Sequence, residues 1–280
     1  MINIVTDTTC NLPPAWLEQY GITRVPFNIQ FGLETFREDI DLTPDVFYRR
    51  IEAEAALPTT SQPAIGEFIQ TYQSLGRDGR ELLSIHLTSK LSGAWQAALL
   101  AARQVQDTVK VHVVDSLTGS VGLGLMVREA AQLARAGLAA AEIAARLEAR
   151  RHQIHVFILL KDLRYARLSG RVGALRETLA ALLNVKPIIG VQAGALVPLD
   201  RVRGQKKGFE RMLELAAAAV GDAPVHVGLT HALAQAEAEN LLAAVKTRLN
   251  CRDIFVTDLA LSLAVHFGPG TVGFATYPAE

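Results

Sequence analysis

The spacing of apolar residues changes several times along the chain, and each change marks an element. Ile2-Asn3-Ile4-Val5, Leu82-Leu83-Ser84-Ile85-His86-Leu87 and Val111-His112-Val113-Val114 are short apolar runs of strand length. They predict strands over 2–6, 82–87 and 111–115, with a further strand at about 24–31. Between them the spacing lengthens to a helical period, predicting helices over 13–20, 43–56, 64–77, 92–106 and 120–136. Pro13-Pro14 suits a first helical turn, and Thr43-Pro44 suits an N-cap followed by an N1 proline. Residues 128–151 continue in Ala-, Glu- and Arg-rich helical sequence, with Gly137 separating two helices. Strand and helix in alternation predict a mostly parallel sheet covered by helices.

A second unit is expected from His155, giving domains 1–154 and 155–280. It opens on a strand at 156–160, followed by helical stretches at 162–169 and 175–183. Apolar runs at 186–191 and 196–200 flank Ala193-Gly194 and predict a hairpin. A helix at 205–220, a strand at 225–230, a helix at 233–248 and strands at 253–257 and 271–277 complete it. The hairpin makes this second sheet mixed. No Pro/Gly/Ser-rich linker separates the halves, so close packing is expected.

Composition narrows the partners. Half the 280 residues are apolar, enough for a large core, and 28 basic residues balance 28 acidic ones. Zero net charge argues against a general nucleic-acid surface. The two cysteines, Cys10 and Cys251, lack metal-ligand spacing and suit reduced thiols. A strand from Ile2 leaves no room for a signal peptide, and no apolar run approaches the roughly 18 residues of a membrane span. A cytoplasmic protein with no bound metal is the expectation.

Candidate chemistry lies in hydroxyl-rich loops at strand ends. Thr6-Asp7-Thr8-Thr9, Thr88-Ser89-Lys90-Leu91-Ser92-Gly93 and Asp115-Ser116-Leu117-Thr118-Gly119-Ser120 each follow an apolar strand. Parallel strands place such loops along one edge, where ligands of open α/β sheets bind. Ser92 also precedes a helix, whose free N–H groups suit an anion. N-capping explains such a serine equally well. Thr59-Thr60-Ser61-Gln62-Pro63 adds further hydroxyls, and His266-Phe267-Gly268-Pro269-Gly270 sets a histidine before a rigid turn. A core-capping histidine is the plain alternative there.

Taken in order, seven segments resemble the DegV family of bacterial fatty-acid-binding proteins. They are Thr6–Pro13, Thr60–Pro63, Thr88–Gly93, Val114–Ser116, Gly170–Val172, Leu183–Ile188 and His266–Gly270. The resemblance implies two α/β domains with a long-chain fatty acid in a tunnel between them. It implies that Thr60, Ser92 and His266 bind the carboxylate, with Ser61 as a neighbour. It implies a separate ATP-binding fatty acid kinase subunit that converts the bound acid to an acyl phosphate for phospholipid synthesis. In that scheme the protein needs no cofactor, inserts in no membrane, and Arg171 faces the phosphate or the kinase. Two departures stand out: Ser169 replaces the family's first glycine before Gly170-Arg171, and Ala94 replaces the threonine after Ser92-Gly93.

Two other readings use the same residues. A serine hydrolase would employ Ser92 as nucleophile, His266 as base and Asp115 or Asp7 as orienter, though Ser92 lacks a Gly-x-Ser-x-Gly elbow. A nucleotide site would employ Gly119-Ser120-Val121-Gly122-Leu123-Gly124, which is not a Gly-x-Gly-x-x-Gly motif; close helix packing explains these glycines as well. The chain also lacks a Gly-x-x-x-x-Gly-Lys-Ser/Thr pattern.

Overall fold

The computed structural model describes residues 2–53, 57–161, 163–171 and 185–279. The helix expected at 175–183, Val172 of the Gly170–Val172 segment and Leu183-Asn184 lie outside the described residues.

The strand expected at 24–31 is two strands in two sheets. β1 (Asn3–Asp7) pairs in parallel with β2 (Thr23–Val25), while β3 (Asn28–Phe31) pairs antiparallel with β4 (Glu34–Arg37). Pro26 stands between β2 and β3 and has no N–H to give a ladder, so the run divides there. α1 (Pro14–Tyr20) links β1 to β2, and α2 (Pro44–Ala53) follows β4. β5 (Thr59–Ser61) then joins the far side of β3, giving a three-stranded sheet in the order β4-β3-β5. Thr60 therefore sits on an edge strand rather than in a loop.

α3 (Ile65–Leu75), β6 (Leu82–His86), α4 (Ala94–Gln104) and β7 (Val111–Asp115) complete a parallel sheet ordered β2-β1-β6-β7. α5 (Ser120–Arg135) and α6 (Ala140–Arg150) follow. The second sheet starts at β8 (His155–Leu159). After α7 (Arg164–Ser169) come β9 (Lys186–Gln192), β10 (Ala195–Val202), α8 (Gln205–Val220) and β11 (Val225–His231). α9 (Gln235–Arg248), β12 (Cys251–Asp258), α10 (Leu261–Phe267) and β13 (Val272–Pro278) end the fold. Its order is β10-β9-β8-β13-β11-β12; the β11–β12 pair is parallel and the rest antiparallel. The fold is thus α/β with one parallel and one mixed sheet.

α5 is the wall common to both sheets. Residues Val121 to Val127 are buried without interruption, as expected of a helix covered on all sides. Gly124 lets the helix approach the turn after β1, because a Cβ there would lie 2.5 Å from the Asn11 carbonyl oxygen. One buried cluster runs from Ile4 and Ile85 through α5 to Ile158 and Phe255. Polar bonds also cross the seam. The Asn11 amide donates to the Asp258 carbonyl at 2.8 Å, the Thr88 hydroxyl to the Gly194 carbonyl at 3.0 Å, and Arg128 holds Asp253 through two bonds of 3.0 and 2.9 Å. These contacts fix the carboxyl ends of β1 and β6 against the turn of the β9–β10 hairpin and the end of β12.

Candidate functional site

The carboxyl ends of β1 and β6 meet β5 and α10 around a cavity of about 540 Å³, its open mouth included. Ser92, Thr60, Gln62 and Thr9 line it from the first half of the chain, and Arg171, Ser262 and His266 from the second. Phe27, Leu87, Leu91, Leu196, Leu263 and Phe267 make the apolar wall. Polar groups and apolar surface thus share one enclosed space, the pattern of small-molecule sites.

The Thr60 hydroxyl lies 3.0 Å from His266 Nε2. Residues 206 apart in sequence are paired here because β5 packs beside α10. Burial, with the charge of Arg171 adding to it, pushes the imidazole down to about 4. The ring is therefore neutral near pH 7, and its buried Nδ1 has no hydrogen-bond partner among the described residues. Since the folded ring resists protonation, its contribution to stability is present above pH 6.5 and lost as pH falls toward 4. His266→Asn is expected to flatten the pH dependence of the thermal midpoint between those values. An unchanged acid limb would show that His266 does not carry it.

Ser92 sits one residue before the N-cap of α4, which is Gly93. Its Oγ accepts the Ala94 N–H at 3.2 Å, leaving its proton for another acceptor. The loop that carries it is tied down where it leaves β6. Thr88 anchors it to the hairpin turn, and Asp115 accepts the Ser89 N–H at 3.2 Å.

Ser61 does not join this group. Side chains alternate along a strand, so Thr60 and Gln62 face the cavity while Ser61 faces away. There its hydroxyl accepts the Gln30 amide at 2.8 Å. The same alternation places Gln62 on the cavity side with Thr60, a signal present in the sequence. Arg171 lies just beyond α7 and lines both this cavity and a neighbouring one of about 710 Å³, its open mouth again included. That second space contains Leu57, Pro58, Thr59, Tyr165 and Val265, and shares Thr60 and His266 with the first. The Thr60–His266 pair thus stands between two cavities.

A Ser–His–Asp relay through Ser92 is not assembled. His266 Nε2 is engaged by Thr60, and a ring pushed to about 4 is a poor base near neutrality. Asp7 bonds to His86 at 3.0 Å and to the backbone N–H groups of Thr9 and Leu87. Asp115 is occupied by the N–H groups of Ser89 and Leu117.

The family model described as "Uncharacterised protein, DegV family" matches residues 1–279. The chain belongs to the DegV family. A DegV domain-containing protein of Halalkalibacterium halodurans is 33% identical over 99% of this chain and 98% of its own. Among solved structures, a DegV family protein of Thermus thermophilus, described for its fatty acid binding, superposes with a TM-score of 0.92 at 30% identity, covering 99% of each chain. DegV of Bacillus subtilis, described as a fatty acid binding protein, superposes at 0.89 with 29% identity over 99% of each chain. The two-domain α/β architecture of these DegV structures is that of the present chain. None of its described helices is long and apolar enough to cross a membrane.

Proposed function

We propose that this DegV protein is a cytoplasmic carrier that binds one long-chain fatty acid between domains 1–154 and 155–280. Its carboxylate lies among Ser92, Thr60 and His266, and the protein offers it to an ATP-binding kinase subunit. The observation that carries this reading is the cavity itself, where paired polar donors sit against an apolar wall of Phe27, Leu87, Leu196 and Leu263. That the structural relatives bind fatty acids supports it.

Burying a methylene contributes about 0.8 kcal/mol, so ~14 methylenes give roughly 11 kcal/mol before ordering costs. A hydrogen bond to a charged group contributes only about 1.5–3 kcal/mol. The tail therefore dominates affinity and the hydroxyls dominate placement. Placement is what phosphoryl transfer requires. A carboxylate oxygen attacks the γ-phosphorus, the new O–P bond forms as the β–γ bridge breaks, and ADP leaves. The nucleophile is already an anion, so no base is needed and a neutral His266 suits the role. The second cavity, with Arg171 on its wall, gives the donor's side of approach.

Extraction of the purified protein followed by mass spectrometry is expected to yield about one fatty acid per chain. A lipid-free preparation that also fails to bind added palmitate or oleate sinks the reading. Ser92→Ala is expected to weaken binding by roughly 10- to 150-fold at most, the worth of one such bond, and to lose most acyl phosphate formation with a partner kinase. Equal turnover by variant and wild type would remove Ser92 from the head-group role.

A further inference from the structure

Glu38 follows β4 directly and is 1% exposed. One carboxylate oxygen accepts the Ser262 N–H at 2.8 Å; the other accepts the Ser262 hydroxyl at 2.7 Å and the Thr8 hydroxyl at 2.5 Å. Ser262 is the second residue of α10 and lines the cavity that also holds Ser92 and His266. A hydroxyl has a single proton. While Glu38 is ionised, that proton is committed to it, and Ser262 has only lone pairs left for the cavity. Lone pairs repel an incoming carboxylate. A proton on Glu38 reverses the arrangement: the acid O–H donates to Ser262 Oγ, and the Ser262 O–H is released as a donor.

We propose that Glu38 is a positioning residue that sets the polarity of the Ser262 hydroxyl and takes up one proton from solvent when an anionic head group binds. The proposal rests on the fatty-acid reading above. Burial drives the Glu38 carboxyl up to about 7 against the pull of its three hydrogen bonds, and the neighbouring Asp39 adds to the rise. The proton is thus exchangeable near neutrality. The other ionisable groups on the surrounding elements are few. Asp39 is paired with Arg24 at 2.9 Å. Asp7 ends β1, Cys10 lies on the turn after it, Tyr48 on α2, Asp258 at the end of β12 and His266 on α10. His266 and Cys10, at about 4 and about 12, do not titrate in this range, and among the described residues no cation pairs with Glu38.

Calorimetric titration with laurate below its aggregation limit, at pH 8 in phosphate and in Tris, measures the protons taken up per ligand. The wild type is expected to take up close to one, and its affinity to fall about tenfold per pH unit above 7. Glu38→Gln retains an acceptor for the Ser262 N–H and turns its amide N–H₂ toward the Ser262 and Thr8 hydroxyl oxygens, which then accept. It is expected to bind laurate with no uptake and with a constant Kd between pH 7 and 9. Laurate binding by the wild type without uptake overturns the proposal and leaves the fatty-acid reading intact, whether or not the variant folds. Equal uptake by wild type and Glu38→Gln overturns it too. No laurate binding at any pH defeats the reading beneath it.

Discussion

Gly268→Ala is expected to destabilise the protein by about 2–6 kcal/mol and, on the proposed fatty-acid reading, to lower the lipid it retains in proportion. Gly268 has φ 77 and ψ 166, a region open almost only to glycine. Holding an alanine there costs roughly 1–3 kcal/mol. The added Cβ would also overlap the Tyr165 ring, and overpacking of this kind costs roughly 1–3 kcal/mol more. The functional consequence follows from what the turn holds. The Gly268 N–H closes α10 on the Ala264 carbonyl at 2.8 Å, and the Gly270 N–H bonds the Ala232 carbonyl at 2.6 Å. His266 lies two residues upstream, so its distance to Thr60 depends on this turn. Urea unfolding at fixed pH, alongside extraction of bound lipid, tests both halves. A variant as stable as the wild type would mean that the turn relaxes freely.

That turn was legible because Gly-Pro-Gly is a local signal. So were the loops after β1, β6 and β7, since short apolar runs and hydroxyl clusters mark them without any knowledge of contacts. The three-stranded sheet was not. Glu34–Arg37 is mostly exposed and Thr59–Ser61 is three residues long, so neither carries an apolar alternation to read. Thr60 was found through family resemblance; its place on a strand, and with it the outward turn of Ser61, came from the pairing with β3. Glu38 and Ser262 are 224 residues apart, and nothing near either one marks them as partners. Local chemistry announces itself in sequence when the backbone demands a residue type. A hydrogen bond between distant elements makes no such local demand.

Asp7→Ala is expected to cost about 3–5 kcal/mol, the usual penalty for removing one partner from a buried polar cluster. Asp7 is fully buried and receives four hydrogen bonds. Thr9 donates its N–H at 3.1 Å and its hydroxyl at 2.5 Å; His86 Nδ1 and the Leu87 N–H each lie at 3.0 Å. His86 continues the chain through Ser84 at 2.6 Å to Tyr72 at 2.8 Å, so the cluster ties β1 to β6 and to α3. Alanine leaves two buried N–H groups and an imidazole without their acceptor, each worth roughly 1–3 kcal/mol. Thr9 and Leu87 line the cavity, so looser strand ends should also weaken lipid retention. Asp7→Asn keeps one acceptor oxygen for Thr9 but turns an N–H₂ toward the Leu87 N–H, and should fall between alanine and wild type. Chemical unfolding ranks the three proteins. An orienter of a catalytic His266 would behave in the opposite way: its loss would abolish turnover of an ester probe and leave stability nearly unchanged. Asp7 forms no hydrogen bond with His266, and its partners are the strand ends that hold the site open.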